Sequence, residues 1–156
     1  MRKLAIAILL TCAARIAGAC SCVPIPDVAG GLERSDLVAD GTVVAIEDRH
    51  VGWRKIKVWF QRRFGSPFPS ALDAGFEVRL KVHQVWKGSA TPEMVIYTWR
   101  DEAGCGFRFR PGSRYIVYAR QGPEEEYEAL LCSRTRLRGD DDEAATLDQL
   151  ASSKKF

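Results

Sequence analysis

One segment of the chain alternates strictly between apolar and polar residues. In FEVRLKVHQVWKG (residues 76–88), Phe76, Val78, Leu80 and Val82 fall on one side, and Glu77, Arg79, Lys81 and His83 on the other. Successive side chains of a strand point to opposite faces, so this pattern predicts a half-buried β-strand. SDLVADGTVVAIED (residues 35–48) is dense in branched residues and reads as an earlier strand, with Gly41 marking a bulge or bend. EMVIYTW (residues 93–99), SRYIVYAR (113–120) and YEALLCS (127–133) supply three more, separated by turns rich in Gly and Pro. The period then changes. In GDDDEAATLDQLAS (residues 139–152), Asp140 stands as an N-cap with Glu143 three residues on, and Ala144, Leu147, Leu150 and Ala151 follow at helical spacing. Five antiparallel strands and a terminal helix predict a mostly β fold, a small closed or partly open five-stranded barrel such as the OB-fold, with the helix packed on it through its apolar stripe.

The first nineteen residues follow another rule. Arg2 and Lys3 precede the apolar run LAIAILLTCAA (residues 4–14), and Ala17-Gly18-Ala19 is a small-residue cleavage site. This is the pattern of a secretory signal, and it divides the chain into a signal peptide, residues 1–19, and one domain, residues 20–156. The run is shorter than the roughly 20 residues a membrane-spanning helix needs, and no later stretch approaches that length. A secreted or periplasmic protein with no membrane span is expected, and a monomer. The formal charge of +3 changes meaning as well. Arg2, Lys3 and Arg15 leave with the signal, three of 23 basic residues, and the remainder equals the 20 acidic ones. Overall attraction to nucleic acid then has no basis.

Of the five cysteines, Cys12 belongs to the signal, leaving Cys20, Cys22, Cys105 and Cys132. In a small exported domain these read as two disulfides with three possible connectivities. A bond between Cys20 and Cys22 would be strained, so each is expected to reach a distant partner. Such closures span most of the domain and are worth roughly 4–5 kcal/mol each in the chain-entropy model.

Candidate chemistry is sparse elsewhere. The connection at residues 49–75 is long, aromatic and basic, with Arg49, Arg54, Lys55, Lys57, Arg62 and Arg63 and no acid before Asp73, and is expected to modulate partner choice. Within it IKVWFQRRF (residues 56–64) resembles part of a homeodomain recognition helix, but that pattern has an adenine-reading asparagine where Arg62 follows Gln61 here. His50 and His83 stand alone, with no paired CxxC or HExxH, so the chain builds no zinc site of its own and calls for no cofactor. No Ser/His/Asp arrangement or carboxylate pair argues for an enzyme.

The chemistry concentrates at CSCVP (residues 20–24). A first residue offers a free α-amine and a carbonyl oxygen that together chelate one metal in a five-membered ring. The α-amine pKa lies near 8, so a usable fraction is unprotonated at neutral pH. A catalytic zinc in a protease keeps one coordination position for water. A rigid terminus that displaces this water without presenting a scissile peptide acts as an inhibitor.

The chain resembles the tissue inhibitors of metalloproteinases, specifically their amino-terminal netrin-like domain and its single-domain bacterial relatives. CSCVP is similar to the family's opening C-[ST]-C-x-P, SDLVADGTVV to its first strand and KVHQVWKG to its second. EAGCGFRFRPGSRYIVYA resembles its cysteine–glycine–aromatic turn, and LLCSRTRL its later cysteine segment, so the likeness covers nearly the whole mature chain. The resemblance implies disulfides Cys20–Cys105 and Cys22–Cys132. It implies that Cys20 chelates the zinc of a target metalloprotease through its amine and carbonyl. Ser21 would enter the primed specificity pocket, and Cys22, Val23 and Pro24 would continue along the cleft. Glu102, Ala103 and Gly104 would form a second contact strip. Vertebrate members add a third disulfide and a second domain that these 156 residues do not contain. The alternative is a netrin-like binding module without inhibitory action, for which a free Cys20 terminus is irrelevant. Acylation of Cys20 as a lipoprotein anchor is disfavoured, because Ala17 stands where Leu, Val or Ile is expected.

Overall fold

The computed structural model describes residues 22, 24–49, 75–89, 91–100, 105–122, 126–139 and 142–153. The expected signal peptide and most of the basic connection lie outside them. The described elements are helix α1 (Val28–Arg34), strands β1 (Leu37–Asp48), β2 (Gly75–Lys87), β3 (Glu93–Trp99), β4 (Arg114–Gln121), β5 (Tyr127–Glu128) and β6 (Arg136–Leu137), and helix α2 (Glu143–Ser153).

Five strands close into a barrel in the order β1-β2-β3-β5-β4, with β4 returning to β1, and β6 adds to the far end of β4. This is the OB-type barrel with a C-terminal helix that the strand pattern predicts. One pairing differs from the all-antiparallel expectation. β3 and β5 run parallel, Ile96 beside Tyr127, because the chain crosses the barrel through β4 before returning. Closure leaves few unpaired edges, which is how a small barrel avoids edge-to-edge association.

β1 holds the barrel together because it pairs on both sides. Residues 37–42 face Ala119 to Arg114 on β4, while residues 38–48 face β2. A strand serving two neighbours at an angle must bend, and the register shifts between Asp40 and Gly41. A Cβ at Gly41 would sit 3.2 Å from the Lys81 carbonyl oxygen, so glycine permits the close approach of the bulge.

The barrel interior is filled by Leu37, Ala39, Val43, Val78, Leu80, Met94, Ile96, Phe109, Tyr115, Val117, Ala119 and Ala129. At one end Phe107, Phe109 and Tyr115 pack edge to face with centroids 4.7–5.9 Å apart. A second core lies outside the wall. Val38, Ile116 and Tyr118 point outward from β1 and β4, join Trp86, and are covered by Leu32 of α1 and Ala144 and Leu147 of α2. Burial on both faces explains why YIVYA of β4 shows no alternation.

Helix α1 was not expected from the sequence, since Gly30 and Gly31 are poor helix formers. It forms because Asp27 caps it, accepting from the Gly30 N–H at 2.8 Å, and because Leu32 is buried beneath it. Gly31 serves packing, as a Cβ there would lie 3.0 Å from Arg134 Cδ and 3.1 Å from Tyr118. The YEALLCS strand is also shorter than expected. The chain leaves the barrel after Glu128 and rejoins β4 at Arg136, and Thr135 fills the gap: its Oγ1 accepts from the Tyr118 N–H at 2.9 Å and donates to the Tyr118 carbonyl at 3.1 Å.

Helix α2 is fastened at three points: Glu143 at its start, the fully buried Leu147, and Asp148, whose carboxylate accepts from the Trp86 indole at 2.7 Å and Gln84 at 2.6 Å. If the outer core is as integral as this packing implies, Leu147→Ala should lower unfolding stability by about 2–5 kcal/mol. The check is the urea midpoint at unchanged m-value, and a loss below about 1 kcal/mol would make α2 a peripheral attachment.

Candidate functional site

The excursion between β5 and β6 carries Cys132, and Cys132 is bonded to Cys22 across 110 residues of sequence, with Cα atoms 5.2 Å apart. This is the second of the two pairings that the resemblance implies. The bond fits an extracytoplasmic protein. Cys105 is disulfide-bonded too. Backbone contacts bring the two cysteine segments together: Gly106 bridges Leu130, and the Cys105 carbonyl accepts from the Leu131 N–H at 2.7 Å. Beyond Cys105, Thr98 holds the turn, its hydroxyl accepting from the Phe107 N–H at 2.7 Å.

Cys105 also sits at φ +64°, in the left-handed region. A residue with a Cβ is seldom found there, and such strain persists only where surrounding contacts impose it. Here the contacts of Leu130 and Leu131 and the Thr98 bond hold the backbone from Cys105 to Phe107.

Cys22 and Pro24 are therefore placed at an exposed rim where Cys105 and Cys132 meet. Cys20, Ser21, Val23, Glu102, Ala103 and Gly104 lie outside the described residues. Ile25 and Leu131 flank the rim with 57% and 36% of their surface exposed. Behind it lies a cleft of about 470 Å³ walled by Pro24, Pro26, Tyr118, Arg120, Glu128 and Arg134.

Beside this cleft lies a charged group centred on Glu143, whose spacing in the sequence suggests only a helix cap. Glu143, buried at the start of α2, accepts from the Tyr118 hydroxyl at 2.7 Å, from Arg134 Nε at 2.9 Å and Nη2 at 3.2 Å, and from Arg136 Nη1 at 3.0 Å. Its carboxylate is turned onto the barrel wall, and the expected cap residue Asp140 lies outside the described residues. Burial and the bond to Glu143 push the Tyr118 hydroxyl well above its ordinary range, so it remains a donor. The remaining nitrogen of Arg134, Nη1, donates to the Pro26 carbonyl at 2.8 Å. The only sequence signal was the alternating arginines of RTRLR after Cys132.

Among the described residues no three His, Cys, Asp or Glu side chains gather as a metal site. His83 is exposed on β2 and shares a 2.8 Å hydrogen bond with the Thr42 hydroxyl. No helix among them is long and apolar enough to cross a membrane. The ends of the basic connection are tied together, the Arg49 N–H donating to the Gly75 carbonyl at 3.1 Å. Arg49 itself turns back over the Tyr97 ring at 4.5 Å and pairs with Glu126 at 3.0 Å.

Together these features define a class of molecule: a small OB-type barrel with an N-terminal segment cross-linked to its rim. No family model matches the chain, and no curated protein matches it.

Glu128, in the cleft wall, makes one property of this region measurable. Burial raises its carboxyl above the ordinary range, the Trp99 indole N–H opposes that, Glu126 adds to it and Arg49 opposes it. An acid whose pKa is raised on folding binds its proton more tightly in the folded state. Its charge then opposes folding at neutral pH, and the penalty is relieved as pH falls through the raised value. Glu128→Gln removes the charge and keeps an oxygen for Trp99. It should raise Tm by a few degrees near pH 7, with the difference closing near pH 4. Equal Tm values at both pH values would show that Glu128 carries no burial penalty.

Proposed function

We propose that the protein is an extracytoplasmic inhibitor of zinc metalloproteases, acting after removal of residues 1–19 through an unmodified N-terminal Cys20. In this reading the Cys20 α-amine and carbonyl oxygen chelate the catalytic zinc of the target and displace its water. Ser21 enters the adjoining primed pocket, Val23 and Pro24 continue along the cleft, and Glu102, Ala103 and Gly104 form a second strip beside them. The protein performs no catalysis of its own.

The observation that carries this reading is the rim itself. A chelating terminus must stay in place once the zinc water has left, and the Cys22–Cys132 bond fixes the chain two residues from Cys20 to a closed barrel. The backbone of Cys105, in its strained conformation, runs beside that anchor. The exposed Ile25 and Leu131 give the rim apolar surface of the kind that protein partners cover. Export through a signal peptide, to the periplasm or outside the cell, would supply both the cut that frees the amine and the oxidising conditions for the disulfides.

One added alanine before Cys20 should abolish inhibition while leaving the fold intact. It turns the amine into an amide whose nitrogen lone pair is delocalised into the carbonyl and cannot bind zinc. Cys20 keeps its side chain, so the cross-links survive. Ser21 replaced by a bulky residue should instead change which proteases are inhibited. Both variants and the natural form are assayed against a panel of zinc proteases. Full inhibition by the extended protein would exclude chelation, and no inhibition by the natural form would favour a netrin-like binding module.

A further inference from the structure

We propose that Arg134 is a positioning residue for the N-terminal segment, and that the C-terminal helix, through Glu143, sets the geometry of the rim. The proposal rests on the inhibitor reading for its consequence but not for its structural part. The Cys22–Cys132 cross-link holds this segment at one end, and Asp27 joins it to α1 at the other. Arg134 adds a fixed point between them, four residues along from Cys22 at the Pro26 carbonyl. The cross-link and the Arg134 bond leave nearby positions of the same excursion, so both are placed by one piece of chain.

The direction of the second anchor is set by Glu143. Arg134 Nε and Nη2 grip the two carboxylate oxygens as a fork, which fixes the guanidinium plane and so the line along which Nη1 points. That carboxylate is 3% exposed and is held from two other directions by Tyr118 and Arg136, so the fork has a rigid seat. Gly31 of α1 lies against Arg134 Cδ, closing the side from which the arginine could swing away. Pro24 and Pro26 restrict the segment further, with φ fixed near −65° at each and Ile25 biased to extended backbone by the proline after it. A binding edge ordered in advance loses less entropy on association, and such gains are felt chiefly in the dissociation rate.

The test is Arg134→Lys, which keeps a positive charge beside Glu143 and loses the fork. Tyr118→Phe is the reference, since it removes a bond to the same carboxylate without touching Pro26. ¹⁵N relaxation reads the amides of Ile25 and Asp27, with Val117 in the barrel as an internal standard. In the lysine variant the order parameters at Ile25 and Asp27 should fall below about 0.6 while Val117 stays near 0.85, and the phenylalanine variant should leave all three high. With an inhibited zinc protease, dissociation of the lysine variant should be about tenfold faster at little-changed association, as loss of one charge-assisted hydrogen bond predicts. Unchanged order at Ile25 and Asp27 overturns the proposal. Lost order with an unchanged dissociation rate overturns the link to inhibition. Should the natural form inhibit no protease, the inhibitor reading fails, and the relaxation data still decide the positioning role. If the lysine variant does not fold, Arg134→Gln carries the same measurements.

Discussion

A buried carboxylate without partners is among the most costly features a small domain can contain, and the Glu143 side chain is only 3% exposed. Its donors come from three places: Tyr118 on β4, Arg134 on the excursion that carries Cys132, and Arg136 on β6. The two arginines compensate its charge, and the Tyr118 hydroxyl adds a neutral donor. The N-terminal segment joins the same network through Pro26, so chain positions from 26 to 143 are tied at one spot. The group thus joins α2, β6 and the rim at one point, beside the Leu147 and Asp148 contacts of α2, the β4–β6 pairing and the disulfide.

That arrangement follows from a strand buried twice over. β4 turns Tyr115, Val117 and Ala119 into the barrel and Ile116 and Tyr118 against the helices. Because Tyr118 points outward, its hydroxyl meets Glu143, and because the chain departs from β4 after Glu128, Thr135 must take over the ladder at Tyr118. The departure places Cys132 where it can reach Cys22, and the Leu131–Cys105 bond brings the other cysteine alongside. The rim geometry is thus a consequence of how the ladder is interrupted.

Elements with a strong period were legible in the sequence. The alternation over residues 76–82 matches β2, where Val78 and Leu80 are fully buried, and Leu147 proves to be the centre of the α2 stripe. Gly41 marks a real bulge. Features governed by tertiary contact were not legible. α1 carries two glycines and exists because Leu32 finds an outer core, while β6 is two residues long. Glu143 had the spacing of a cap residue, and its bonds to Tyr118, Arg134 and Arg136 depend on how β4, the excursion and β6 come together. Of the candidate site, Cys22, Pro24, Cys105 and Cys132 are placed at the rim, and nothing local in the sequence identified Arg134 as the residue behind them.

The central claim, that the N-terminal Cys20 binds the metal of a target protease, is tested most directly on the metal itself. A zinc protease substituted with cobalt(II) reports changes of ligand in its visible spectrum. Titration with the natural protein should shift the cobalt bands, saturating at one equivalent, as an amine nitrogen and a carbonyl oxygen replace water. Tight binding with an unchanged cobalt spectrum would contradict the account.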